Sequence, residues 1–196
     1  MKRGKYTILV LVITVSIIVF LLLNLLLGSV SIPFASVWNI LTGGEGDPVA
    51  WQNIILKSRL PQALTALVAG AGLSISGLQM QTIFRNPLAG PSVLGISSGA
   101  SLGVAFVVLL SGQLGGVALS RLGFIGEVAL SIAAVVGALS VMGLIVLASR
   151  KVAGSVTLLI IGVMIGYIAN AVIGVLKFFS VEEDIKAYVI WGLGSF

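Results

Sequence analysis

Long apolar runs, broken by short polar or glycine-bearing stretches, set the pattern of this chain. Tyr6–Leu27 carries no charged residue. At 1.5 Å per residue a helix of that length reaches roughly 33 Å, enough to cross a bilayer core. Similar runs follow over Arg59–Ile83, Ser92–Leu110, Glu127–Ala148 and Ser155–Phe179. The pattern predicts an all-α, polytopic transmembrane helical bundle with about five spans. Lys2, Arg3 and Lys5 ahead of the first run also suit a cleaved signal peptide. Such peptides have an apolar region of about 7–15 residues and an A-x-A-like site, which Gly28-Ser29-Val30-Ser31 matches poorly, so the first span is expected to stay uncleaved.

The breaks have their own content. Gly28–Ser58 reads as a loop from Pro33, Gly43, Gly44, Gly46, Asp47 and Pro48. Within it Phe34, Val37, Trp38 and Leu41 fall at helical spacing, which predicts a short interfacial helix over Phe34–Leu41, with Trp38 and Trp51 in the aromatic belt. Phe84–Ser92 reads as a tight polar turn. Asn86 precedes Pro87 and is biased away from helix, so it ends the second span, and Pro91 suits the first turn of the next helix. Ser111–Gly126, with Arg121, reads as a loop. Ser180-Val181-Glu182-Glu183 resembles a capping box opening a surface helix over about Val181–Trp191. Glu182, Glu183 and Asp184 then form its solvated start.

Small residues recur every four positions inside the spans: Ala66, Gly70, Ser74; Gly99, Gly103; Ala133, Gly137; and Gly162, Gly166, Asn170, Gly174. Such ridges let helix backbones approach closely in lipid, where packing drives association. Gly72, Ser76 and Gly77 put small residues on further faces of the second span, which is therefore expected to be enclosed by neighbours. The seam in the fifth span has two open readings, helix packing or the wall of a pathway. Asn170 likewise suits an interhelical hydrogen bond or a ligand contact.

Composition sharpens the class. The chain is 58% hydrophobic and 9% charged, with mean hydropathy +1.20. That leaves too few charged residues for the surface of a soluble domain. Cysteine and histidine are both absent, which removes disulfides, thiolate metal sites and the commonest general base. The sequence has no Walker motif, HExxH or intramembrane carboxylate pair, so no catalytic residue, cofactor or metal site is expected and the chain does not read as an enzyme. Coupled carriers keep ionisable groups inside the membrane, and only Lys177 comes near, at a span end. The energy is then expected from another protein. The net charge of +5 does not point to nucleic acid, because the basic residues flank apolar runs. Lys2, Arg3, Lys5, Arg85, Arg150 and Lys151 fall on one side, and Lys57, Arg59, Arg121, Lys177 and Lys186 on the other, together with all six acids. The N-terminal cluster and the short loops on its side predict a cytoplasmic N-terminus.

One stretch carries a more specific signal. Arg59-Leu60-Pro61, Ser76-Gly77, Gln81, Arg85-Asn86-Pro87-Leu88-Ala89, Pro91, Leu94-Gly95, Ser97 and Gly99-Ala100 follow one another in order. In this order the segment resembles the permease family of ABC importers for iron-siderophores, haem and cobalamin. The Gly162-bearing span and Trp191-Gly192-Leu193-Gly194-Ser195 look like later stretches of the same family. The resemblance implies a subunit of about ten helices in a bacterial cytoplasmic (inner) membrane. It implies a second permease copy, two cytoplasmic ATPase subunits and a periplasmic or lipid-anchored binding protein that delivers the chelate. Residues 1–196 then form a single permease domain, incomplete at its C-terminus, with the ATPase-coupling helix expected beyond Phe196. By resemblance Arg59 docks the binding protein. The family's second arginine is replaced by Gln62, so docking is expected to be weaker or differently arranged. Arg85, Asn86 and Pro87 form a cytoplasmic turn, Gly154 and Ser155 lie near a cytoplasmic gate, and Gly162, Gly166, Asn170 and Gly174 line the pathway. Charge alone also allows Arg59 to anchor a helix end and Arg85 to be a positive-inside turn. The rival functions are an ATP-independent carrier or channel and a non-transporting membrane scaffold. An intramembrane enzyme is the weakest rival.

Overall fold

A computed structural model describes residues 2–44, 48–111, 124–152 and 154–194. Arg121 and the rest of 112–123, Gly46, Asp47, Ser195 and Phe196 lie outside the described residues. The described residues form helices and turns: α1 (Lys2–Leu26), α2 (Phe34–Leu41), α3 (Val49–Ile54), α4 (Leu60–Phe84), α5 (Ile96–Ser111), α6 (Phe124–Ser149), α7 (Ser155–Phe179) and α8 (Glu182–Leu193). Among the described residues four stretches are long and apolar enough to cross a membrane: Gly4–Leu26, Val49–Phe84, Ile125–Ser149 and Ser155–Phe179. α5 is shorter. Its apolar part is Ile96–Leu110, because Pro91–Leu94 forms a 3₁₀ turn and Gly95 takes a left-handed φ of 72°, which delays the α-helix.

The chain divides into two compact units, the first up to Gly72 and the second from Leu73. The core of the first joins Leu25, Ile32, Val37, Ile40, Ile55 and Ala63. α2 has the expected bounds. Val37 and Ile40 are buried, while Phe34 and Trp38 stack outward with ring centroids 6.4 Å apart. The predicted loop Gly28–Ser58 ends early. Helix resumes at Val49, after Pro48, and continues through a π-helical turn at Ile55–Arg59 into α4. Pro61 gives the physical reason for the widened turn. It has no N–H for the Lys57 carbonyl, and its ring would crowd that carbonyl in a regular α-helix.

In the second unit α5 is the central element and packs against α6, α7 and α8. Val104, Ala105, Val108 and Leu109 meet Ile173 of α7 and Tyr188 of α8. The small-residue ridges of α5 and α6 face one another. A Cβ on Gly103 would strike the Ala133 carbonyl oxygen, and one on Gly137 would strike that of Gly99. The expected capping box is not formed. Val181 is the N-cap of α8, with no side-chain cap, and the Ser180 hydroxyl donates instead to the carbonyls of Leu176 (2.6 Å) and Leu109 (3.2 Å). On α4 nothing among the described residues lies within 4 Å of a Cβ on Gly70, Gly72 or Gly77.

Candidate functional site

The turn after α4 is closed by its own backbone. Asn86 N–H donates to the Gln81 carbonyl (3.2 Å) and Arg85 N–H to that of Thr82 (3.3 Å), the paired bonds of a Schellman motif. Arg85 occupies its left-handed position with φ 46°, the one non-glycine residue with positive φ among the described residues. Most helices place glycine there, since a Cβ costs about 1–2 kcal/mol in that region. The Asn86 side-chain oxygen accepts the Leu88 N–H (2.9 Å), and the Asn86 carbonyl accepts that of Ala89 (3.1 Å). Asn86-Pro87 therefore starts a second reversal, with Pro87 supplying its fixed φ. Ala89 is buried while Leu88, at the tip, is 85% exposed.

The chain then enters the 3₁₀ turn and reaches α7. Gly95 sits so close that a Cβ would lie 2.7 Å from the Gly162 oxygen and 2.9 Å from the Gly166 nitrogen. Conformation and space both demand glycine there. Gly162 packs on Leu94, and Gly166 on Gly95 and Ser98. One turn further along α7, Asn170 Nδ2 donates to Ser98 Oγ (3.4 Å). Beside that contact lies a crevice of about 180 Å³, lined by Ser92, Gly95, Ser98, Gly166, Tyr167 and Asn170. The four-residue seam thus splits: Gly162 and Gly166 are packed, Asn170 borders the crevice, and Gly174 faces open space. Gly154, with φ 131°, is the N-cap of α7, and Ser155 is its first residue; both are exposed.

Arg59 is only 6% exposed. Its Nη1 donates to the carbonyls of Leu25 (2.8 Å) and Leu26 (3.1 Å), and its Nη2 to that of Val30. Gln62 is half-buried and shares with Arg59 a polar cavity of about 340 Å³.

Sequence reasoning passed over several side chains. Leu88 and Tyr167 are exposed apolar or aromatic groups, and the signal for Leu88 was a leucine inside an otherwise polar turn. Asp184, read as solvated, is 7% exposed, and its Oδ2 has no partner among the described residues. It stands four residues before buried Tyr188, so both face inward on one side of α8. Burial pushes the Tyr188 phenol above its ordinary range, and a hydrogen bond with Ser101 opposes that shift. Lys177 Nζ lies 4.6 Å from the Tyr188 ring centroid. Among the described residues no three His, Cys, Asp or Glu side chains gather as a metal site. What these groups offer is hydrogen bonding and shape.

Comparison with known proteins places this architecture. The profile of the FecCD transport family matches residues 16–196. The "Probable iron chelatin transport system permease protein" of Helicobacter pylori (strain ATCC 700392 / 26695) is 42% identical over 144 residues, covering 72% of this chain and 39% of that protein. The molybdate import system permease protein MolB of Haemophilus influenzae is 30% identical, covering all of this chain and 56% of its own length. A solved structure of a metal-chelate type ABC transporter, in an inward-facing conformation, superposes with a TM-score of 0.71 at 27% identity. It covers 95% of this chain and 53% of that one. The chain thus spans about half the length of the proteins it matches. The match across residues 16–196, which takes in the Arg85 turn and its seat on α7, means that the chain belongs to the FecCD transport family.

Proposed function

We propose that this chain is part of the transmembrane permease subunit of an ABC importer. It carries an iron chelate, haem or cobalamin across the bacterial cytoplasmic membrane by alternating access. The observation that carries this reading is the Arg85–Gly95 turn seated against Gly162 and Gly166 in a chain of the FecCD family. The kinship with iron-chelate and molybdate permeases supports transport and leaves an oxyanion as the competing cargo.

In this reading the N-terminus is cytoplasmic, the chain crosses five times, and ATP is hydrolysed by separate subunits. A second permease copy completes the pathway. A periplasmic or lipid-anchored binding protein docks at the face that holds Arg59 and Gln62, whose shared polar cavity supports a hydrophilic contact there. Arg85, Asn86 and Pro87 face the ATPase side, Gly154 and Ser155 stand near the gate, and the Gly162–Gly174 seam borders the route. The crevice at Asn170 supports that last assignment.

The test is uptake by the complete transporter in proteoliposomes, with its binding protein outside and ATP inside. ATP-dependent accumulation of a ferric chelate, haem or cobalamin is the expected result. Preferential accumulation of molybdate would reassign the cargo. Uptake that continues without ATP and collapses with the proton gradient would replace the importer with a secondary carrier.

A further inference from the structure

Arg59 is bound to the end of a helix that precedes it by more than thirty residues. α1 stops at Leu26, and the last carbonyls of a helix have no partner inside it. Arg59 supplies donors to two of them and to the Val30 carbonyl beyond. These are charge-assisted bonds at the negative end of a helix dipole, a setting that favours a cation. Gly28 completes the arrangement. A Cβ there would lie 2.6 Å from Arg59 Nη2, 3.0 Å from Cζ and 3.2 Å from Nε, so any larger residue requires the guanidinium to move from this seat. The π-helical turn before Pro61 carries Arg59 to this position, and Ile55, on the same turn, is buried in the adjoining core.

We infer that Arg59 is a positioning residue for the docking face. It fixes the exit of α1 and the path toward α2, and its charge is answered inside the chain. The groups left to meet a delivery protein are its neighbours on the cavity, such as Ser29, Ser58 and Gln62. This rests on the docking reading given above. A lysine keeps the charge but not the planar fork that fans across three carbonyls. Charge and geometry are therefore separable by substitution.

The experiment uses the complete permease–ATPase assembly in nanodiscs and measures binding-protein affinity in wild type, Arg59→Lys, Gly28→Ala and Gln62→Ala. In parallel, a Ser29→Cys thiol, the only cysteine in these 196 residues, is labelled with a membrane-impermeant maleimide and followed on its own peptide. Arg59→Lys and Gly28→Ala are each expected to weaken binding roughly tenfold and to speed Ser29→Cys labelling. Gln62→Ala is expected to weaken binding without changing the labelling. Comparison is made only between assemblies that retain their ATPase subunits. Because Gly28→Ala adds a single methyl group, it serves as the second variant if Arg59→Lys fails to assemble. Normal affinity in Arg59→Lys with unchanged labelling in Gly28→Ala would overturn the positioning role and return Arg59 to a docking charge. A wild-type assembly that binds no delivery protein would overturn the docking reading itself.

Discussion

Glycines have opposite surroundings in α4 and in the α5–α6 pair. A Cβ on Gly99 would lie 2.8 Å from the Gly137 oxygen, and Gly103 and Gly137 are just as tightly covered by backbone. On α4, Gly70, Gly72 and Gly77 have open space around them. A small-xxx-small ridge thus confers a capacity for close approach, and only a facing ridge turns that capacity into packing energy. α7 shows both conditions on one helix, with Gly162 and Gly166 covered and Gly174 open.

The contrast can be broken most severely at the covered positions. Gly103→Leu or Gly137→Leu would drive a side chain into neighbouring backbone and is expected to cost about 3 kcal/mol or more. Thermal unfolding in detergent would read this as loss of the cooperative transition, and an unchanged midpoint would mean that α5 and α6 do not meet at these glycines. Gly95→Ala comes next. It combines a left-handed backbone with overlap on Gly162 and Gly166, for a loss of about 1–3 kcal/mol. A disulfide cross-link between cysteines placed at Ser98 and Asn170 should form in the parent and weaken in that variant. Arg85→Gly reverses the sign, because it relieves the left-handed arginine and should raise stability by about 1 kcal/mol. If transport falls while the midpoint rises, the arginine side chain is retained for function. The smallest effect belongs to Gly77→Ala and Gly174→Ala, which should be neutral or stabilise by up to about 1 kcal/mol through helix propensity alone. A clear loss from Gly77→Ala in the complete transporter would show that α4 acquires a partner there.

The local helical content was readable because hydropathy and turn chemistry are local properties. α6 and α7 follow long apolar runs, and the Asn86-Pro87 reversal follows from proline geometry. What was not readable depended on distant partners. Nothing around Arg59 announces that its acceptors are Leu25, Leu26 and Val30. Asp184 sits among acids in a stretch that reads as solvated, and only the inward turn of α8 buries it. The division of α2 into buried Val37 and Ile40 and exposed Phe34 and Trp38 was not readable, because helical spacing does not say which apolar residues find a core. Helix α3 was missed because the glycines and proline before Val49 made the loop seem longer than it is. Within the candidate site, the glycine seam was visible as a repeat, but its division at Asn170 was not, because the facing Gly95 and Ser98 lie far away in sequence.

The helical stretch from Val49 to Phe84 acts as a ruler. Its 36 residues measure about 54 Å at 1.5 Å each, against a hydrocarbon layer of about 30 Å. So much rod cannot be hidden in lipid at ordinary tilts, and the surplus must stand in the headgroups or the water beyond. The π-helical turn, bearing Lys57 and Arg59 just ahead of Pro61, marks the graduation where that surplus begins. The helix passes this mark without stopping, so the surplus ahead of it needs no separate loop to leave the membrane.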